Sequence, residues 1–315
     1  DSGSLVSLAK SNMMHELDTF SVIDKDQRYN EENEINFLCK SLNIRNTKIH
    51  VSTNSFIEKL NQIIKHHNSP IPTVSYFLHA CLLEEVANKG YKVIISGTGA
   101  DEIFAGYYDH SLYWLADTYS NSTIEKNINI WKNNFGKYIQ NPELQDPLKF
   151  IKNKKSRNYL FDSNQFINAM LINQNIEEFS EVNYSKNLLK NRMCNELYHE
   201  IVPVILDQDD KNSMMHSIEN RSPFLDKELV NFGYSIPNNL FFDRGYSKSV
   251  LRSAVKDILP NRIRLKKEKI GFNASIQSLL SLDNNETKNI LLKDSPIFDY
   301  IDRNKFKKYL DLDHS

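Results

Sequence analysis

Along the first hundred residues, the pattern of apolar and polar positions predicts helices that alternate with short strands. The segments with helical spacing are residues 4–14, 31–42, 55–64 and 74–88. Shorter segments at residues 17–23, 48–52 and 93–95 predict strands, and the last of these, Val-Ile-Ile, is apolar enough for a buried strand. Strands that alternate with helices favour a parallel sheet with right-handed crossovers.

The pattern changes after Gly106. Residues 111–201 show helical periodicity, many Asn and Lys residues and no convincing strand, and the remaining residues also predict mostly helix. The expected fold class is therefore α/β, a parallel sheet with flanking helices followed by a mostly helical C-terminal half. We divide the chain into an α/β core over residues 1–110, a helical insertion over 111–200 and a helical part over 201–315.

Composition narrows the picture further. The chain has 315 residues, of which 40% are hydrophobic and 25% charged, enough for a substantial core. A net charge of −1 gives no electrostatic reason to expect nucleic acid or a membrane surface as a partner. No apolar run approaches a membrane span and no signal peptide is visible. The three widely spaced cysteines fit neither a disulfide framework nor a zinc site, which favours a cytoplasmic protein.

Candidate chemistry lies directly after the strand at residues 93–95. The sequence continues as Ser96-Gly97-Thr98-Gly99-Ala100-Asp101-Glu102. The two glycines allow backbone amides to approach a ligand closely, and the carboxyl end of a parallel strand is where ligands bind in open α/β sheets. Carboxylates at this point suit Mg²⁺ that carries phosphates. The alternative is a plain strand-to-helix turn in which Asp101 caps the helix.

This segment resembles the SGEGADELFGGY signature of the asparagine synthetase family, whose synthetase domain is an ATP pyrophosphatase of the PP-loop type. Residues 212–226, NSMMHSIENRSPFLD, resemble the family's SMAHSLEVRVPFLD. A third block runs from Lys248 (KSVLR) through Leu259-Pro260 to Lys269 (KIGF), as in K..LR.A...LP…K.GF. The order and approximate spacing of all three blocks agree with the family.

The resemblance implies a PP-loop fold, similar to the adenine nucleotide alpha hydrolases, with ATP and Mg²⁺ as cofactors. It assigns Asp1 and Asp101 to the magnesium ion. It assigns contacts with the nucleotide to Val22, Ser96 and Gly97, as well as to Asp1. The start of the first helix offers free amides and a positive dipole end to phosphate oxygens, and Ser2 can add a hydroxyl group there. From the residues alone, Asp1 can also be read as a helix cap and Val22 as an ordinary core valine.

Two lysines complete the implied site. By resemblance, Lys248 contacts phosphates, and Lys269 acts in adenylation of the substrate and in the attack by ammonia. A compact ammonium group is a strong partner for departing pyrophosphate, and stabilising developing charge is often the largest catalytic contribution. The alternative is a solvated surface lysine, which is the better interpretation for Lys266 and Lys267.

Other polar residues near the second block have plainer interpretations. Glu219 and Arg221 are expected to form a structural ion pair rather than a substrate contact, followed by turn and capping residues at Pro223 and Asp226. His216 is expected to be packed or hydrogen-bonded. Three acids lie just upstream, Asp207, Asp209 and Asp210. They could bind an amino group of the substrate, or they could equally lie in a solvated turn.

Two departures from the family lie where the acceptor should bind. Thr98 takes the place of a glutamate of asparagine synthetases, and a threonine cannot take up a proton at neutral pH. Asn68-Ser69-Pro70 stands where family members often have DEP. The resemblance therefore implies that the residues that bind ATP are intact. The changes among the residues that bind the acceptor suggest that the enzyme adenylates a carboxylate other than aspartate. Proteins of bacterial surface-polysaccharide loci that amidate sugar uronic acids carry similar signatures.

The start of the chain also differs from the family pattern. PP-loop enzymes begin with a strand and SGGxDS, of which only Asp1-Ser2 is present here. We therefore expect a piece of a longer protein, without the N-terminal strand and the SGG. The family carries a glutaminase domain upstream, so the resemblance implies that ammonia comes from a domain absent from this sequence.

The expected function is thus that of a glutamine-dependent amidotransferase, an ATP-dependent carbon–nitrogen ligase. It would activate a small-molecule carboxylate as an acyl-adenylate and form an amide with ammonia. The alternatives are a true asparagine synthetase, an amide closure as in β-lactam synthetases, and an inactive nucleotide-binding homologue. Retention of Asp101, Glu102, Lys248 and Lys269 argues against the last. The sequence leaves open whether the protein forms a homodimer.

Overall fold

The computed structural model describes residues 1–12, 16–50, 55–118, 124–139, 141–153, 157, 159, 169–173, 180–280, 282 and 284–312. The ends of two predicted elements, residues 13–14 and 51–52, lie outside this part of the chain. Among the described residues, no helix is both long and apolar enough to cross a membrane.

The first hundred residues contain the predicted alternation of helices and strands, which confirms its order. The second strand begins three residues earlier than predicted, because Arg45 pairs with Asp18 of the first strand through Nε and Oδ1 at 2.6 Å. The elements are α1 (Ser2–Asn12), β1 (Asp18–Ile23), α2 (Glu32–Leu42), β2 (Arg45–His50), α3 (Phe56–His67), α4 (Val74–Asn88) and β3 (Val93–Ile95).

The rest of the chain is mainly helical, with one further strand. Its α-helices and strand up to residue 254 are α5 (Ala100–Phe104), α6 (Tyr108–Asp117), α7 (Ile124–Asn134), α8 (Pro147–Lys152), α9 (Leu188–Asn195), α10 (Val202–Met215), β4 (Glu219–Arg221), α11 (Lys227–Ser235) and α12 (Ser249–Ala254). Four short helices follow: α13 (Asn261–Arg264), α14 (Ile276–Leu279), α15 (Asn285–Leu291) and α16 (Arg303–Leu310).

The strands form two parallel pairs instead of the single sheet that we expected. β1 pairs with β2, and β3 pairs with β4, which comes from the C-terminal half of the chain. The amide of Ser96 donates to the carbonyl of Arg221 at 2.9 Å and extends the second pair by one residue. The prediction that β3 is buried is wrong, since Val93 and Ile95 are 43% and 60% exposed. Within the described residues, β3 has a strand on one edge alone.

The main hydrophobic core lies in the helical part and fixes the segment after β3. Ala100, Ile103 and Phe104 of α5 are all buried in it, together with Leu112 and Tyr113 of α6. A smaller core lies between α3 and α4 and includes Phe56, Ile63, Phe77 and Leu78. Because three of the five α5 residues are core residues, the position of Asp101 between them is well defined.

Candidate active site

The turn after β3 packs directly against the start of α1. A Cβ atom on Gly97 would lie 2.8 Å from the backbone nitrogen of Ser2 and 3.1 Å from Cβ of Asp1. Gly99 has a φ of +95° and precedes α5, so the left-handed backbone that glycine favours forms the turn. Two distant parts of the sequence, Asp1-Ser2 and Ser96-Gly97, therefore meet at the carboxyl end of β3.

Lys248 lies between the two acids that the family resemblance assigns to magnesium. Its Nζ atom is 2.5 and 2.6 Å from the two carboxylate oxygens of Asp1, and 2.6 Å from Oδ1 of Asp101. Asp101 is the second residue of α5 and Gly99 is its N-cap, so the alternative of a helix cap at Asp101 is wrong. Both carboxylates converge on one cation.

Lys269 contacts the same acid from another direction. Its Nζ atom is 3.0 Å from Oδ1 of Asp101 and 3.4 Å from the carbonyl oxygen of Gly106. Burial raises the pKa of Asp101, but the ammonium groups of Lys248 and Lys269 outweigh it and hold that pKa well below its usual range. Asp101 therefore stays ionised wherever the protein is folded at ordinary pH.

Gly106 makes this close approach of charges possible. A Cβ atom at this position would lie 1.8 Å from Oδ1 of Asp101 and 2.0 Å from Cε of Lys248. A side chain at this position would displace the carboxylate of Asp101 or the stem of Lys248. The backbone of Gly106 thus forms one wall of the site.

These residues fit the divalent metal that the family implies. Two carboxylates meet around the ammonium group of Lys248. Carboxylate oxygens are the ligands that Mg²⁺ prefers. Asp1 and Asp101 are accordingly the residues that would hold it.

Thr98 lies in a short chain of hydroxyl groups. Ser96 Oγ donates to Thr98 Oγ1 at 3.2 Å and is 3.1 Å from Oγ of Ser222, directly after β4. The sequence reasoning missed Ser222. The available signal was its own block, which reads RSPFLD where the family pattern reads RVPFLD.

Val22 is the penultimate residue of β1. It packs against the core between α3 and α4 and lines a small cavity with Asp24, His50 and Ser278. Its assignment to the nucleotide remains a prediction.

The contacts correct two predictions and exclude one alternative. Lys266 and Lys267 are half-buried instead of solvated: Lys266 pairs with Glu34 at 3.3 Å, and Lys267 donates to Asn134 Oδ1 at 2.9 Å. Asp209 is not in a solvated turn, because it is buried in α10 with His79 Nδ1 at 3.1 Å from Oδ1. Helical periodicity was too weak around residue 209 for its buried face to be recognised.

Other interpretations agree with the structure. Glu219 and Arg221 form the expected ion pair at 2.8 Å on the surface. Asp226 caps α11 by accepting from the amides of Glu228 and Leu229. His216 is half-buried, and burial lowers its pKa.

Asn68 has a structural role of its own. It ends α3 with a left-handed φ of 51°, a conformation that asparagine adopts readily at a helix terminus. The presence of Asn68 where family members have an acidic residue is therefore explained in part by its position at the C-terminus of α3.

A second group of titratable residues lies behind the site, buried between α6 and α9. Asp109, His110 and Glu196 can each bring one ligand atom within 4.8 Å of the others, as in a metal site. However, Arg192 Nε lies 3.4 Å from Asp109 Oδ2 and 3.0 Å from Glu196 Oε1. The guanidinium already supplies the positive charge, so this group is a buried ion network and not a metal centre.

Comparison with known proteins identifies the family of the chain. The family model of asparagine synthase matches residues 1–315, and the chain belongs to that family. Asparagine synthetase (glutamine-hydrolyzing) 1 of Bacillus subtilis (strain 168) is 27% identical over 331 residues, which cover 100% of this chain and 51% of that protein. Asparagine synthetase (glutamine-hydrolyzing) 3 of the same organism is 38% identical over 64 residues, 20% of this chain and 10% of that protein. The chain thus spans about half the length of the first relative, and its match to the second covers 10% of that protein.

Proposed function

We propose that the chain is the synthetase part of an ATP-dependent, glutamine-dependent amidotransferase. The observation that supports this most is the convergence of Asp1, Asp101, Lys248 and Lys269 at the carboxyl end of β3. A family scaffold in which Lys248 contacts both acids and Lys269 contacts Asp101 is suited to the phosphates of ATP. We also propose a cytoplasmic location, where ATP is available.

In the proposed reaction, an oxygen of the acceptor carboxylate attacks the α-phosphorus of ATP. The bond from that phosphorus to the bridging oxygen breaks, and pyrophosphate leaves. Ammonia then attacks the acyl carbon of the acyl-adenylate, AMP departs, and the resulting ammonium loses a proton to give the amide. Mg²⁺ held by Asp1 and Asp101 would offset the charge of the phosphates.

The two lysines act on the charge that builds up as pyrophosphate departs. Lys248 and Lys269 have flexible stems that carry their charge at a point, so each can follow a phosphate oxygen. Both contact Asp101 in the present structure. A charge placed beforehand where negative charge develops lowers the barrier without later rearrangement.

The acceptor is proposed to be a carboxylate that also bears hydroxyl groups, such as a sugar uronic acid. Ser96 donates to Thr98, so the hydroxyl proton of Thr98 is left to donate elsewhere. Neutral hydroxyl groups can exchange hydrogen bonds with sugar hydroxyls, and a polar site of this kind rejects an acceptor that leaves it unpaired. Aspartate, an internal amide closure and loss of activity are the alternatives.

The ammonia is proposed to come from a glutaminase domain elsewhere in the full-length protein. The relative in Bacillus subtilis that this chain matches along its entire length is about twice as long and carries glutamine hydrolysis in its name. The division of the present chain at residues 110 and 200 belongs to the same proposal, with residues 201–315 completing the site that residues 1–110 begin.

The test is acceptor-dependent release of pyrophosphate by the full-length protein that carries this chain. The assay contains Mg-ATP, either glutamine or ammonium chloride, and one of two acceptors, aspartate or a nucleotide-linked uronic acid. We expect pyrophosphate and AMP in equal amounts with the uronic acid and little with aspartate. Efficient asparagine formation without turnover of sugar acids would restore the plain asparagine synthetase alternative. No acceptor-dependent pyrophosphate from any acid would support the inactive homologue.

A further inference from the structure

The ammonium group of Lys269 rests on the face of an aromatic ring. Its Nζ atom is 4.0 Å from the centroid of the Tyr107 ring. Asp101 and the carbonyl of Gly106 contact the same ammonium from other sides, at 3.0 and 3.4 Å. Lys269 is thus enclosed by one carboxylate, one carbonyl and one ring.

The Tyr107 ring is itself fixed at two points. Its hydroxyl donates to Oε1 of Glu102 at 2.7 Å, and Glu102 is 2% exposed. Its edge meets the ring of His110 with centroids 5.3 Å apart and planes at 78°. His110 is fully buried, and its Nε2 is 2.6 Å from Oε2 of Glu196. The ring cannot turn away from Lys269 without breaking these contacts.

The next residue holds the backbone of the same lysine. The hydroxyl of Tyr108 donates to the carbonyl oxygen of Lys269 at 2.9 Å. Two consecutive tyrosines at the start of α6 therefore locate both ends of Lys269, one at the ammonium and one at the main chain.

We propose that Tyr107 is a positioning residue for Lys269. This inference rests on the proposed function, because it assigns Tyr107 a part in the reaction through the lysine. A ring face attracts an ammonium group without neutralising it, so the charge remains available to pyrophosphate. Asp101 cannot serve in the same way, since it would be engaged by the metal. The ring limits the rotamers of a side chain with a flexible four-carbon stem.

Two substitutions separate the ring from its hydroxyl group. Tyr107→Phe keeps the ring face and removes the bond to Glu102, whereas Tyr107→Leu removes the ring. In the full-length protein we expect Tyr107→Leu to lower kcat for amide formation by about ten- to thirtyfold, a tenfold loss being about 1.4 kcal/mol. Its KM for ATP should change by less than about threefold, and Tyr107→Phe should keep kcat within about threefold of the wild type.

Tyr234→Leu is a matched control. Its ring also faces a lysine, with Lys190 Nζ at 5.3 Å from the centroid, but on the exposed surface of α11. We expect this variant to have wild-type kcat. The melting temperature of every variant shows whether a loss of rate comes from unfolding.

Lys269→Ala, measured in parallel, separates the two proposals. If Lys269→Ala is inactive while a folded Tyr107→Leu has normal kcat, the inference about Tyr107 is wrong and the proposed function stands. If Lys269→Ala itself turns over normally, the proposed role of the lysine fails first. An equal loss in Tyr107→Phe and Tyr107→Leu would also overturn the inference, because it would place the effect on the hydroxyl group.

Discussion

At the scale of single residues, the ammonium group of Lys248 lies between the two carboxylates proposed to bind Mg²⁺. Its Nζ atom is 2.5 Å from Asp1 and 2.6 Å from Asp101. An ammonium group and a metal ion attract the same oxygen atoms, so the two compete when no phosphate is present. Bound phosphates would give Lys248 other anionic partners and leave the carboxylates to the metal.

We therefore expect Lys248→Met to bind Mn²⁺, used in place of Mg²⁺, more tightly than the wild type when no nucleotide is present. The affinity should rise about tenfold, or ~1.4 kcal/mol. Free Mn²⁺ can be followed by its EPR signal during a titration. Lys266→Met is the control, because Lys266 pairs with Glu34 and should leave the metal affinity unchanged. Equal or weaker binding by Lys248→Met would contradict the competition.

A second prediction concerns the hydroxyl group of Thr98. Thr98→Val keeps the shape of the side chain but leaves Ser96 without the acceptor it now has at 3.2 Å. Loss of one hydrogen bond to the carboxylate substrate should raise the KM for that substrate about tenfold and leave the KM for ATP nearly unchanged. Thr118→Val, whose hydroxyl bonds only the α6 backbone in the described part of the chain, is the control. Unaltered acceptor kinetics in Thr98→Val would remove Thr98 from the acceptor site.

At the scale of elements, α6 and α9 are joined by buried charges. Arg192 is 1% exposed and contacts four carboxylates, those of Asp109, Glu181, Glu196 and Glu200. Burial lowers the pKa of His110, but the interaction with Glu196 and Asp109 outweighs burial. The pKa of His110 therefore lies above its ordinary value. The pKa of Glu196 is also raised, in this case because burial disfavours the charged carboxylate. The folded protein therefore holds a proton in this pair more tightly than the unfolded chain does.

The sign of the pH dependence follows from these shifts. The raised pKa of His110 stabilises the fold fully below its unfolded value of about 6.5, and this stabilisation is lost as the pH rises through the folded value. The raised pKa of Glu196 acts in the same direction, because folding favours its protonated form. We expect the free energy of unfolding to fall as the pH rises above about 6.5, and to fall less in Glu196→Gln.

Urea unfolding at several pH values measures this difference. Glu143→Gln provides the control, since Glu143 pairs with Lys149 at a partly exposed position and should keep the wild-type pH dependence. Identical profiles for the wild type and Glu196→Gln would show that the buried pair does not contribute.

The elements differ in how far the sequence could predict them. β1, α2 and α4 follow from local apolar spacing, and their order is confirmed. β4 could not be predicted, because Glu-Asn-Arg is a polar three-residue segment whose extended form depends on pairing with β3, far away in the sequence. The exposed face of β3 was missed for a related reason, since an apolar run does not state which neighbours will cover it.

At the scale of the whole molecule, the candidate site joins both halves of the chain. Asp101 follows β3 in the first half, whereas Lys248, Lys269 and Ser222 come from the second. Three sequence motifs predicted that these acids and lysines meet, because the family resemblance links motifs far apart in sequence. Tyr107 could not be given a role from the sequence, because its role depends on contacts seen only in the folded chain. For Ser222 the one signal was the serine in RSPFLD where the family pattern has valine.

The central claim is that this site activates a carboxylate by transferring AMP to it. The most direct measurement uses an acceptor whose carboxylate is labelled with ¹⁸O, with the full-length protein, Mg-ATP and ammonium chloride. Attack on the α-phosphorus predicts that one ¹⁸O atom passes from the acceptor into AMP, while pyrophosphate carries none. Two results would contradict the account. One is that the label appears in inorganic phosphate and ADP is the other product; the other is that the amide forms without labelled AMP.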